Sequence, residues 1–286
     1  MTLLQEVSGR AFQEMDRVVN LLNRYDSASP LAHLNREGSI RAPPPELSVV
    51  LSRAREFHTS TQGAFDPTVQ PLVDLFRKGS GSTPPTESAI LKALSLVGFR
   101  EVKLRSDSIQ MDKPGMGVTL DGIAKGFVVD RMASLLGEFG LTDFLINAGG
   151  DIRSLGRRED GRPWQVGVQD PEKRGDLPDV IGMTGGAVAT SGSYEIYFDR
   201  ERTSHHIVSA GTGASPGASK SVSVVAPTAL VADALATSVF VMEPERGIAY
   251  IDSLPQCACL IIDASGQQSR SKGWRSTTDL PPSRQG

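Results

Sequence analysis

The stretch from Gly117 to Asp151 constrains the fold of this chain more than any other. Val118 to Leu120 reads as a strand that enters the loop Asp121-Gly122-Ile123-Ala124-Lys125-Gly126. A helix then runs to Phe139 with Gly140 at its C-cap, and a strand from Phe144 to Asn147 ends in Gly149-Gly150-Asp151. A strand, glycine loop, helix and strand in succession need a sheet and a helix packed together, which argues against a helical bundle. Glycine (29) and proline (18) make up about a sixth of the 286 residues, against a usual share of roughly an eighth, and so many tight turns between short elements are expected.

The remaining elements are read around this unit. Leu4, Val7, Ala11, Met15, Val18, Leu22 and Tyr25 step by three or four, which predicts a helix over 3–25 with one buried face. A second helix is predicted from Glu46 to Thr59, and Thr86 is placed as the N-cap of a short helix after the linker Lys78 to Pro85. Strand-like alternation follows from Glu101 to Asp121, with turns at Ser106-Asp107 and Pro114-Gly115. Further strands are read at Trp164–Val168, Gly186–Thr190, Tyr194–Phe198, Ser221–Val225 and Cys257–Ile262, with a helix over Thr228–Met242. The tail 279–286 reads as disordered, and the whole chain as one domain with room for two subdomains.

Several function classes are disfavoured. Lys plus Arg (30) nearly balance Asp plus Glu (33), and no basic run could track a phosphate backbone, so nucleic acid is not an expected partner. Cys257 and Cys259 lack a second pair for zinc and read as buried strand residues. No apolar run is long enough to span a membrane and no leader precedes the first helix. The chain as given therefore reads as cytoplasmic, or as periplasmic or membrane-anchored should an export signal lie upstream. Dinucleotide G-x-G-x-x-G, P-loop and H-E-x-x-H motifs are all absent.

What remains is phosphate-friendly. Asp233 and Thr237, four apart on the predicted helix, share one face; they form either a hard-oxygen pair suited to Mg²⁺ or part of a solvated face. The loop Asp121 to Gly126 offers a helix N-terminus and Lys125, fit for a diphosphate or simply an ordinary turn. Gly63-Ala64-Phe65-Asp66-Pro67-Thr68 could line a ring pocket. Thr190-Ser191-Gly192-Ser193-Tyr194 supplies hydroxyls, and His205-His206 supplies imidazoles.

In this order the segments resemble the FAD:protein FMN transferase family, the ApbE-like flavin transferases. The blocks are Tyr25 with Ser29-Pro30-Leu31-Ala32-His33-Leu34-Asn35; Gly63 to Thr68 with Pro71-Leu72-Val73; Leu120 to Phe127 with Asp130; Asn147 to Asp151; Ala189 to Tyr194; His206-Ile207; and Ala232 to Thr237. The resemblance runs from about Tyr25 to Ile262. It implies an α+β fold of mixed sheets with flanking helices and a ligand cleft between them. It also implies an enzyme that uses Mg²⁺ to move the FMN half of FAD onto a Thr or Ser hydroxyl of an acceptor protein, releasing AMP. By the same resemblance Asp233, Thr237 and the Ala124 carbonyl hold the metal, and Tyr25, Ala64, Phe65, Asp66, Asp121, Lys125, Ser191 and Ile207 contact FAD. His206 assists deprotonation of the acceptor, and Asp233 joins it as catalytic through the metal.

Two departures stand out. The family's first strand, before the opening helix, has no counterpart here, and the family's Asp-Pro-Arg after His-Ile-Ile is Ser209-Ala210-Gly211. The rival activities are a pyrophosphatase that splits FAD into FMN and AMP, and a flavin-binding module without turnover.

Overall fold

The structure is a computed structural model that describes residues 3–79, 85–172, 175 and 177–277. The linker expected at 78–85 falls mostly on 80–84, outside the described residues, as do the tail 279–286 and the last residue before it. Among the described residues no helix is long and apolar enough to cross a membrane.

Helix α1 (Leu3–Leu22) buries Val7, Ala11, Val18 and Leu22, the predicted stripe, but stops three residues short of Tyr25. Asn23 ends it: its side-chain oxygen accepts from Tyr25 N at 3.0 Å, which turns the chain. The block from Ser29 to Asn35 is a capped helix, α2 (Pro30–Glu37). Ser29 accepts from Ala32 N, Leu31 and Leu34 are buried, and Gly38 closes the helix at φ 73°. Strand β1 (Ser39–Arg41) leads to α3 (Pro45–Ser60) and, after a short turn at Pro67–Val69, to α4 (Gln70–Lys78). Thr86 caps α5 (Glu87–Leu94) as its sequence position predicts.

Strands β2 (Val102–Leu104) and β3 (Ser108–Met111) join β1 in a three-stranded sheet, ordered β1-β3-β2. Val118 to Leu120 is extended, but it is not a strand. Its polar groups are met by a side chain instead of a neighbouring strand: Asn35 donates from Nδ2 to the Val118 carbonyl at 2.9 Å and accepts from Val118 N at 2.8 Å. Thr119 N donates to the Pro67 carbonyl at 2.8 Å. The chain then enters α6 (Ala124–Glu138).

The main sheet has six strands. β4 (Phe144–Ala148), β5 (Asp151–Leu155), β8 (Gly185–Gly192), β9 (Ser219–Ala226), β10 (Ala258–Asp263) and β11 (Gln268–Arg270) lie in the order β11-β10-β9-β8-β5-β4. A two-stranded ribbon, β6 (Trp164–Val168) and β7 (Asp179–Met183), packs on one face. Every ladder between these strands is antiparallel, so the sheets are not mixed as expected; the α+β class stands. Period-two alternation covers both faces. Ala187, Ala189, Val222, Val224, Cys259 and Ile261 join the helical core, while Val188, Leu260 and Ile152 meet the ribbon and Trp274. Two strand expectations need correction here. Tyr194–Phe198 is irregular, with one bridge from Tyr197 to His205, and Cys257 is half-buried just before β10.

Helix α7 (Ala229–Val241) lies on β8 and β9, and α8 (Pro244–Asp252) follows it. Thr228 caps α7 through Val231 N. Asp130 of α6 accepts from Ala229 N and Leu230 N, both at 2.9 Å, so one helix satisfies the first free donors of the next. Replacing Asn35 with Ala should strand two buried backbone groups at Val118 and lower unfolding free energy by about 2–4 kcal/mol in chemical denaturation. A loss under about 0.5 kcal/mol would show that the segment does not depend on this amide.

Candidate active site

Two helices meet where the glycine loop ends. Gly126 sits so close to α7 that a Cβ would lie 2.3 Å from the Ala229 carbonyl oxygen, and its own N–H donates to Asp233 Oδ2 at 3.0 Å. Gly122 lies against Thr237, where a Cβ would be 2.7 Å from Oγ1. Thr237 Oγ1 shares a 3.2 Å hydrogen bond with Ser191 Oγ of β8. Asp233 and Thr237 therefore face the loop together, and the solvated-face reading of the pair falls.

Asp233 is 5% exposed, and Asp151, at the start of β5, is 1% exposed. Burial first, and the neighbouring Asp151 carboxylate second, push Asp233 well above the usual carboxylate range. Burial also raises Asp151, against the attraction of Lys125, whose Nζ lies 3.1 Å from Asp151 Oδ1 and donates to the Gly149 carbonyl at 3.3 Å. The Asp151 Oδ2 atom is buried without a hydrogen-bond partner. Gly149 and Gly150 make this geometry possible as a two-residue hairpin loop, with φ values of 61° and 97° that side-chain-bearing residues rarely adopt. Asn147 Oδ1 accepts from Gly150 N to close the turn.

His206 is placed by the irregular segment after β8. Its Nδ1 lies 3.4 Å from the Ile196 carbonyl, which can only accept, so Nδ1 carries the proton and Nε2 keeps a lone pair. Burial pushes the imidazole below its ordinary value, with the Ile196 carbonyl opposing. A neutral ring with a free lone pair is what a general base requires.

One polar cavity of about 140 Å³ gathers most of the predicted residues: Ala64, Phe65, Asp66, Asp121, Lys125, Ser191, His206, Ile207, Asp233 and Thr237. Asp66 lines it while also capping the turn at Pro67, accepting from Thr68 N at 2.8 Å, with His58 Nδ1 3.4 Å behind it. Two predicted residues lie elsewhere. Ala124 lines an adjoining, more apolar recess of about 370 Å³ with Met15, Val19, Leu22, Val128 and Ala148; Asp121 and Lys125 belong to both spaces. Tyr25 lines neither. It is 58% exposed, with the Arg24 and Arg77 guanidinium carbons 4.4 and 4.5 Å from its ring centre. Ala210 and Gly211, at the altered family segment, line a separate cleft with Arg55 and Arg100.

The sequence profile of the ApbE family matches residues 1–261. The chain belongs to the ApbE family. A relative from Treponema pallidum, named FAD:protein FMN transferase, is 35% identical over 283 residues, which cover 91% of this chain and 75% of the relative. One of the same name from Haemophilus influenzae is 28% identical, covering 89% and 79%. Among solved structures, the ApbE protein of Thermotoga maritima superposes with a TM-score of 0.86 at 30% identity, covering 95% of this chain and 90% of the other.

Two acids were not picked out as site residues: Glu195, which lines this ApbE-family cavity, and Asp151, which lies behind it against Asp233 and Lys125. Asp151 stands inside the Asn147–Asp151 block, yet nothing in that block marks an acid at a strand start as the partner of a helix residue 82 positions later. Glu195 lines the polar cavity and no pattern in the sequence singles it out. Because burial holds His206 below 6.5, the unfolded chain takes up the proton first as pH falls. The residue therefore subtracts stability as pH drops through 6.5 and costs nothing above it. An NMR titration of the ring should give a midpoint below 6.5, and a midpoint at or above that value would remove the neutral base.

Proposed function

We propose that this chain transfers the FMN half of FAD to a Thr or Ser hydroxyl of an acceptor protein and releases AMP. The observation that carries the reading is the convergence on one cavity of Asp121 and Lys125 from the glycine loop, His206 from the segment after β8 and Asp233 from α7, three segments far apart in sequence. The names of the relatives point the same way. In the step proposed, the acceptor oxygen bonds to the phosphorus on the FMN side and the bond from that phosphorus to the bridging oxygen breaks. The bridging oxygen leaves with AMP, and the hydroxyl proton passes to His206 Nε2. Lys125 faces the diphosphate, and the apolar recess beside it accepts a flat ring.

The donor set fits Mg²⁺. Asp233 and Asp151 are buried side by side with one oxygen unpartnered, an arrangement that needs a proton or a cation, and Thr237 adds a hydroxyl. Among the described residues no group of three or more His, Cys, Asp or Glu stands together, so water and substrate phosphates would complete the shell. Asp233, Thr237 and, by family resemblance, the Ala124 carbonyl would hold the ion, which supplies charge neutralisation at the diphosphate when bound.

Incubation with FAD, MgCl₂ and an acceptor protein should give a flavin-fluorescent acceptor band and AMP in equal amounts. Asp233→Ala should lower transfer at least about a hundredfold while the melting temperature stays within about 5 °C, since the change removes a buried acid rather than core packing. Free FMN plus AMP without labelled protein would make the chain a pyrophosphatase, and unchanged FAD would make it a binding module. Either result overturns the proposal.

A further inference from the structure

Arg24 carries none of the roles above, yet its guanidinium is buried. Its side chain is 3% exposed. One terminal nitrogen donates to Asp74 Oδ1 at 2.8 Å on α4; the other donates to the Tyr25 hydroxyl at 2.7 Å. Asp74 is itself held through Oδ2 by Gln70 at 3.1 Å. The guanidinium is thus pegged at two corners and lies over the Tyr25 ring. Its third corner is held by charge rather than by a hydrogen bond: Nε is buried and pairs with Asp121 Oδ2 at 3.4 Å.

Asp121 has the opposite character. Its side chain is 51% exposed and opens on both the polar cavity and the apolar recess. Among the described residues Arg24 is the cation within ion-pair distance of its carboxylate. A half-exposed carboxylate has several rotamers, and a rigid planar donor behind it selects one. A lysine could not do the same, because an ammonium has no fixed fork to serve Asp74, Tyr25 and Asp121 at once.

We propose that Arg24 is a positioning residue for the FAD site, aiming the Asp121 carboxylate at an N–H or O–H donor of FAD. The proposal rests on the FAD reading of this cavity. Tyr25 and Asp74 are the clamp, so a motif tyrosine that lines neither the cavity nor the recess still acts on the ligand, through Arg24.

A double-mutant cycle tests it, with FAD dissociation constants read from flavin fluorescence in the absence of acceptor. Arg24→Met and Asp121→Asn should each weaken FAD about tenfold, and the double variant should be no weaker than the weaker single variant. Arg24→Lys should fall between wild type and Arg24→Met. It also carries the same cycle if Arg24→Met does not fold. An unchanged constant in Arg24→Met, or losses that multiply to about a hundredfold in the double variant, would overturn the proposal. Hydrogen exchange in the ligand-free protein gives a separate readout, with the amides of 121–125 exchanging faster in both single variants. Unchanged exchange there would also overturn the positioning role. Failure of the wild type to bind FAD would instead overturn the ligand reading, and exchange would still decide whether Arg24 holds the loop.

Discussion

The missing side chain of Gly126 sets the geometry on which the rest of the site depends. Where it stands, the first turn of α6 touches the backbone of α7, and any Cβ would collide with the Ala229 carbonyl. That approach lets a backbone N–H at the open end of α6 reach the Asp233 carboxylate in the middle of α7. Farther along the same pair of helices, Asp130 reaches back to the open end of α7. Each helix thus satisfies donors the other leaves free, and the crossing is locked by hydrogen bonds that a wider separation would break.

Closeness creates an electrostatic problem that the fold answers at two points. Bringing Asp233 out of water beside Asp151 places two acids where neither ionises readily, and Lys125 from the glycine loop offsets part of the charge. On the other side of the same loop Arg24 is buried between Asp74 and Asp121. The loop from Asp121 to Lys125 is therefore bracketed by the buried carboxylate pair on one side and, on the other, by a guanidinium already paired with Asp74 and Asp121.

Much of this was legible where chemistry is local. Thr86 caps its helix within three residues of itself, as read, and the Gly149-Gly150 turn depends only on its own dihedral angles. The stripe of α1 and the alternation of β9 follow from the periods of helix and strand. Errors arose where a distant group replaced the expected neighbour. Val118 to Leu120 has a strand's pattern, but Asn35 occupies the place of the next strand. Tyr194 to Phe198 alternates too, yet the chain there turns to present His206 instead of pairing.

The sequence by itself determined the long helices, most strands of the main sheet, the Thr86 cap and, through seven ordered motifs, the family. Those depend on interactions within a few residues or on a pattern that survives without coordinates. Tertiary structure alone decided that Asp151 stands behind Asp233, that Tyr25 sits against two guanidinium groups away from the polar cavity, and that Arg24 faces Asp121. In each case the partners are far apart in sequence or lie in a turn whose direction no period encodes. Burial and charge pairing then act only after the helices and the sheet have packed.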